Sequence, residues 1–290
     1  MGIILNNDTK VLVQGITGNA GSRHALSMLE YGTRVVGGVR PGAGGGNVHG
    51  VPVFDTVSEA VKATGANSSV LFVPPAAALE AALEALDAGI KLVVAPPENI
   101  QLHSEVRMVA AARGAGAILI GPNTAGIIDP SLRVKIGFVP EAVFSPGKIG
   151  IATRSGTLMY EMASRISEAG LGESTCVGVG GDPVQGLRFS EVCKLFEKDR
   201  ETKAILLIGE IGGSQEEEVA SMVLDGSIKK PVVAYMAGRY APRGRKMGHA
   251  GAIVSGIGGS IEEKVAAFRE AGISVGSTPG ETVRLIEEGM

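Results

Sequence analysis

The sequence contains no tryptophan, and aromatic residues make up only 4% of its 290 positions. A core built on large rings is therefore excluded, which argues against a sandwich or a helix bundle. Cysteine is nearly missing as well. Cys176 and Cys193 form no metal-like cluster, and in a chain of this length they read as core thiols of a reducing compartment. Neither sign of charge prevails: 27 basic side chains face 30 acidic ones, for a net charge of −3. No footprint of nucleic-acid or membrane-surface binding follows from such a balance, so the expected partners are small molecules or another protein. No apolar run is long enough to span a bilayer, and the start, MGIILNNDTK, lacks the basic and apolar stretches of a signal peptide. The expected location is the cytoplasm.

Glycine and aliphatic residues are present instead. Forty-three glycines accompany a hydrophobic content of 44%, a pairing that suits an α/β protein with many tight strand-to-helix turns. KVLVQ at 10–14 is followed by GITGNAG at 15–21 and an amphipathic segment to about Tyr31, in the order strand, glycine turn, helix. Further runs at 34–39, 69–74, 91–96 and 117–122 are nearly continuous in Val, Ile and Leu. That is the pattern of parallel strands covered on both faces. Helical patterns at 58–64, 76–88 and 104–113 lie between them. Residues 1–125 are thus expected to form a Rossmann-like doubly wound domain.

Residues 126–146, punctuated by Pro130, Pro140 and Pro146, are expected to connect two domains. Beyond them the alternation resumes, with strands at 149–153, 175–180, 204–211, 231–238 and 273–277 and helices near 157–169, 189–197, 215–224 and 261–271. Residues 147–290 are therefore expected to form a flavodoxin-like domain, again with a mainly parallel sheet.

Ligands in such sheets sit beyond the carboxyl ends of the strands. After the first strand, Gly15, Gly18 and Gly21 give G-x-x-G-x-x-G. It either opens a helix whose amides and Thr17 hydroxyl hold a phosphate, or merely lets helix and strand pack closely. Both readings stay open at this point. A second glycine cluster spans 38–50, and no acidic residue ends the second strand to bind a ribose, which counts against NAD. In the second half, Ser155 is a natural N-cap, and the amides of Gly156 and Thr157 would face an anion or simply complete a cap. Ser214 and Glu217 have the spacing of a capping box, and Glu216 and Glu218 suit the helix dipole, so this acidic triplet reads as structural. Glu210, at a strand end among glycines, is suited to hold a histidine's Nδ1 proton and free its Nε2 as a nucleophile.

His249 lies in RGRKMGHAGAIVSGIGG at 243–259, behind Arg243, Arg245 and Lys246. It is either idle in a glycine-rich surface loop or the residue that handles a phosphoryl group. His24 reads as a residue of the first helix, His103 as the start of a later helix in a capping or exposed role, and His49 lies in the second glycine cluster.

GITG at 15–18, VVGGV at 35–39, STCVGVGGDP at 174–183, IGEIGGSQEEE at 208–218 and KMGHAGAI at 246–253 together resemble the α subunit of succinyl-CoA synthetase, the nucleoside-diphosphate-forming succinate–CoA ligase. The resemblance covers nearly the whole chain. It implies that the first domain binds coenzyme A, with Thr17, Gly18, Asn19, Ala20, Arg40, Ala43, Pro96, Pro97 and Glu98 at that cofactor. It also implies that His249 is phosphorylated during turnover, with Glu210 as its orienting carboxylate and Ser155, Gly156 and Thr157 in the phosphate cradle. Tyr160, Asn123, Thr124 and Ala125 would lie at the acid substrate, shared with a partner. ATP or GTP with Mg2+ would be bound mainly by a β subunit with an ATP-grasp site, since this sequence has no G-x-x-x-x-G-K-[ST] loop. Both αβ and α2β2 assemblies fit, and no metal site is expected in this chain.

Three departures accompany the resemblance. Ala43 stands where the family usually has lysine, PPEN at 96–99 replaces a T-E-G pattern, and GPNTAG replaces GPNCPG. They cluster around CoA and acid, which suggests a paralogue acting on malate, citrate or a sulfonated acid. The alternative of another class is a non-catalytic CoA-binding regulator, which would not need GEIGG with GHAGA.

Overall fold

All four residues of β1 (Val11–Gln14) are buried, as a strand covered by helices on both faces must be. The computed structural model describes residues 2–238, 248–253 and 259–290. After β1 come α1 (Asn19–Tyr31), β2 (Val35–Val39), β3 (Asn47–Val48), β4 (Val51–Phe54), α2 (Val57–Thr64) and β5 (Ser68–Leu71). The first half ends with α3 (Ala78–Asp87), β6 (Leu92–Val94), α4 (Leu102–Gly114) and β7 (Ile118–Ile120). Their sheet has the order β3-β4-β2-β1-β5-β6-β7 and is parallel except for the short β3 edge. Without that edge, the strands follow the Rossmann order 3-2-1-4-5-6, and the direction of winding reverses between β1 and β5.

The second sheet begins earlier than the sequence suggests. The segment 126–146, expected as a connection, carries β8 (Gly126–Asp129) and β9 (Val134–Gly137), an antiparallel pair that joins the second sheet through β11. Two glycines allow this, because Gly126 and Gly137 face each other at positive φ with backbone where a Cβ would stand. The remaining elements are β10 (Pro146–Thr153), α5 (Gly156–Glu168), β11 (Glu173–Gly178), α6 (Phe189–Lys198), β12 (Ala204–Glu210), α7 (Gln215–Leu224), β13 (Val232–Ala237), α8 (Ile261–Glu270), β14 (Ser274–Gly276) and α9 (Pro279–Gly289). The sheet order is β14-β13-β12-β10-β11-β8-β9. Its five parallel strands follow the flavodoxin order 2-1-3-4-5, with the reversal between β10 and β12.

Small residues in the strands make room for helix side chains. At Gly150 in β10 a Cβ would stand 2.6 Å from the Phe196 ring, so glycine lets α6 seat that ring on the sheet. Burying such a side chain contributes about 1.5–3 kcal/mol. Ser155 caps α5 by accepting the Leu158 N–H at 3.3 Å. The capping box expected at Ser214 does not form. Its side chain caps nothing, and Glu217 instead accepts a hydrogen bond from Lys264. Cys176 and Cys193 are buried free thiols. Among the described residues no helix is long and apolar enough to cross a membrane.

Candidate active site

Each reversal of strand order opens a crevice beyond the strand ends. At the first, α1 begins at Gly18, which offers no side-chain cap, so the leading amides of the helix are left for a ligand. Gly15 sits at φ +80, and a Cβ there would lie 2.2 Å from the Phe72 carbonyl oxygen, so the turn can be made only by glycine. A cleft of about 850 Å³ lies over this end, walled by Gly18, Asn19 and Ala20 on one side and Pro96, Pro97 and Glu98 on the other. Phe72 and Phe138 line it too, with His24 stacked on Phe72 at 5.1 Å between ring centroids. Thr17 and Arg40 line an adjoining hollow, where the Arg40 guanidinium donates to the Thr17 hydroxyl at 2.9 Å. Ala43 lies half-buried in the following glycine turn, its amide donating to the Arg40 carbonyl. His49 meets the Ser22 hydroxyl at 2.9 Å, and His103 is exposed at the start of α4.

At the second reversal the strand ends carry charge. Glu210 closes β12 and is 6% exposed. Its Oε2 lies 2.8 Å from His249 Nδ1. Arg154, 5% exposed and placed between β10 and α5, sets its Nε 3.2 Å from Glu210 Oε1, a charge contact whose angle falls short of a hydrogen bond. The hydrogen bond that His249 donates to Glu210 and the charge of that carboxylate hold the imidazole above its ordinary pKa of 6.5, against burial and the Arg154 cation. With Nδ1 donating to an ionised Glu210, the neutral ring keeps its lone pair on Nε2, the arrangement a histidine nucleophile requires. Glycine makes the fit possible: a Cβ on Gly181 would lie 2.4 Å from the His249 ring, and one on Gly251 2.5 Å from Arg154 Nη2. Arg243, Arg245 and Lys246 lie outside the described residues.

The expected substrate residues stand where the two sheets meet. Asn123, at φ +56, donates from Nδ2 to Asp182 Oδ1 at 3.0 Å and also lines the first cleft. Its backbone links the two sites. The Asn123 N–H donates to the Pro97 carbonyl at 2.9 Å, Gly181 N–H to the Asn123 carbonyl at 3.1 Å, and Gly251 N–H to the Gly181 carbonyl at 3.0 Å. Thr124 is buried and its hydroxyl is already engaged, donating to the Gly178 carbonyl and accepting the Gly126 N–H. Ala125 faces the start of α5, where a Cβ on Gly156 would lie 3.1 Å from the Ala125 Cβ and 3.4 Å from the Tyr160 hydroxyl. That hydroxyl is buried without a partner, and burial pushes its pKa up to about 12. Ser155 and Gly156 are half-buried and Thr157 is exposed. Sequence reasoning passed over Arg154 and Asp182. Arg154 directly follows the end of β10, and a charged residue there was the available signal; Asp182 lies within the quoted 174–183 motif, four residues beyond β11.

Residues 6–98 match the CoA binding domain family and residues 152–274 the CoA-ligase family. The chain is 51% identical to the succinate–CoA ligase [ADP-forming] subunit alpha 2 of Archaeoglobus fulgidus, over 99% of both chains. This chain belongs to the α-subunit family of the ADP-forming succinate–CoA ligases. Membership in an α-subunit family implies a partner subunit. The malate–CoA ligase subunit alpha of Methylorubrum extorquens is 47% identical, over 97% of this chain and 95% of that one. Among solved structures, ATP citrate lyase from Methanothrix soehngenii in complex with citrate and coenzyme A superposes with a TM-score of 0.88 at 27% identity. That match covers 99% of this α subunit, which spans about half of the longer chain, 51%. Among the described residues no three His, Cys, Asp or Glu side chains gather as a metal site.

Proposed function

We propose that this chain is the α subunit of a cytoplasmic, nucleoside-diphosphate-forming acid–CoA ligase, and that His249 is its phosphoryl carrier. One observation carries the reading: His249 Nδ1 stands 2.8 Å from a buried carboxylate at a strand end. A carboxylic acid and a thiol do not condense unaided, so the acid must first become an acyl phosphate. Nε2 of His249 takes the terminal phosphoryl group of a nucleoside triphosphate, releasing the diphosphate, and passes it to the acid carboxylate. The CoA thiol supplies the nucleophile that turns the acyl phosphate into a thioester and inorganic phosphate.

Such transfers ask mainly for positioning and for charge stabilisation. Glu210 orients the ring, Arg154 offsets charge beside it, and the head of α5 forms the phosphate cradle, with the amides of Gly156 and Thr157 turned to the anion and Ser155 as the cap, its own amide held by the Thr153 hydroxyl. The cleft fits CoA: its size, the uncapped amides of Asn19 and Ala20 behind Gly18 and the wall of Pro96, Pro97 and Glu98 suit a long ligand with phosphates. Thr17, Arg40 and Ala43 border the same ligand. Tyr160, with its unpartnered hydroxyl, and Asn123 and Ala125 beside the α5 end, meet the acid, whereas Thr124 shapes the loop from within. The nucleotide, ATP or GTP with Mg2+, is held by an ATP-grasp β subunit in an αβ or α2β2 complex.

The acid is succinate or a relative of it. Malate, citrate and a sulfonated acid are favoured rivals, because the loop bearing Thr124 and Ala125 departs from the family's usual GPNCPG. Incubating the αβ complex with labelled ATP should give acid-labile, alkali-stable phosphate on His249. An unlabelled wild type with its true partner present overturns the reading. A panel of acids then names the substrate, and a clear preference for succinate ends the paralogue idea.

A further inference from the structure

Helix α7 opens on three glutamates, two of which turn inward towards a lysine. Lys264, on α8, is fully buried. Its ammonium donates to Glu216 Oε2 at 2.7 Å, to Glu217 Oε2 at 2.8 Å and to the Gly213 carbonyl at 2.9 Å, which uses all three of its protons. Glu216 is as buried as its partner. Its other oxygen, Oε1, accepts the backbone N–H of Glu210 at 3.2 Å. Gly209 permits this approach, since a Cβ there would stand 2.7 Å from that oxygen. One residue beyond Glu210's neighbour Ile211, the Gly212 N–H donates to the Gly259 carbonyl at 2.8 Å, just ahead of α8. The turn that presents Glu210 is therefore held at the amide of Glu210, the amide of Gly212 and the carbonyl of Gly213.

Stability alone does not explain the pair. A buried ion pair rarely outperforms well-packed apolar residues of the same volume, and the helix dipole could be served by exposed glutamates. What apolar residues cannot do is accept the Glu210 amide. The pair also separates charges: two buried carboxylates share one turn, and each has its own cation, Arg154 for Glu210 and Lys264 for Glu216.

We infer that Lys264 and Glu216 are positioning residues for the phosphoryl relay: they fix the backbone from which the Glu210 carboxylate reaches His249 Nδ1 and so select the tautomer that leaves Nε2 nucleophilic. The inference rests on the phosphohistidine reading for its catalytic consequence, although the tautomer does not depend on that reading.

The test uses the αβ complex with 15N-labelled histidine, in wild type, Lys264→Met and Glu216→Gln. In wild type the imidazole 15N shifts of His249 should report a proton on Nδ1. In Lys264→Met that preference should be lost and His249 phosphorylation should slow by about 10–100-fold, the usual cost of removing a group that orients a primary ligand. The KM for CoA should stay unchanged, which a general loss of structure would not allow. Should Lys264→Met fail to fold, Glu216→Gln decides, since it keeps the volume and an oxygen for the Glu210 amide but lacks the charge that holds Lys264. It should show the same changes to a smaller degree. A folded variant with wild-type 15N shifts and phosphorylation rate overturns the inference, as does a parallel rise in the KM for CoA. If wild type is never phosphorylated yet the 15N shifts still change in the variants, the relay reading fails and the positioning role stands.

Discussion

The two strand-order reversals share one topological rule and hold opposite chemistries. Between β1 and β5 the crevice is open and walled by glycine, proline and two phenylalanines. Between β10 and β12 the strand ends carry a buried arginine and glutamate, with a second buried ion pair behind them. The fold supplies a place for a ligand in both halves, and the residues at the strand ends decide whether that place holds or reacts.

Removing the proposed phosphoryl carrier should break this contrast most completely. His249→Asn should abolish labelling by ATP in the αβ complex while CoA still binds, as equilibrium dialysis would show. Equal loss of both would mean that the crevices do not divide the work. Next in size is Glu210→Gln, expected to slow His249 phosphorylation by about 10²–10³-fold. The pH profile gives its signature. Glu210 raises the His249 pKa above 6.5, so the wild-type rate should climb with pH through that raised value, and the variant's climb should begin at lower pH. Arg154→Met leaves the Glu210 charge buried and without its cation, a change that costs about 3–5 kcal/mol and should lower Tm in a thermal melt.

On the binding side, Ala20→Glu puts a negative charge at the head of α1, where phosphates are expected. The KM for CoA should rise about tenfold, equivalent to about 1.4 kcal/mol, with phosphorylation of His249 untouched. If phosphorylation slows as well, the separation is wrong. The last comparison belongs to neither crevice. Burial raises Glu173 to about 7 from an ordinary 4.5. The folded state therefore holds a proton that the unfolded state has lost, and stability falls as pH rises between those values. Glu173→Gln should make that slope shallower in melts taken from pH 4.5 to 7.5, leaving the share of Glu105, which burial raises to about 8, and an unchanged slope would remove Glu173 from it.

How much of this was legible depended on the range of the interaction. The unbroken aliphatic runs of β1, β10 and β12 announce buried parallel strands, and the Ser155 cap needs only the residues next to it. α7 runs from Gln215 to Leu224, the bounds its sequence suggests. Strands β3 and β4 escaped notice because they are short and contain Pro52, and β8 and β9 because prolines surround them. Helix α9 was not expected either. Its Thr278 cap and Pro279 are ordinary start signals, but they stand just behind the short strand β14, and Pro279 with Gly280 reads as a turn. At the sites, Glu210 and His249 were found through glycine-flanked motifs although 39 residues separate them. Lys264 was not, because its partner Glu216 lies 48 residues away and the local spacing offered Glu217 a cap. A nearby hydroxyl lost to a distant ammonium, and sequence spacing registers only the former.

The backbone chain from Pro97 through Asn123 and Gly181 to Gly251 constrains anyone who would re-engineer this protein. A chimera that takes its first half from a ligase of different specificity inherits more than a binding preference. It also replaces one end of a hydrogen-bonded line that finishes beside His249. A splice ahead of Pro97 leaves that line within one protein, whereas one at the proline-rich segment, where the sequence invites the cut, divides it.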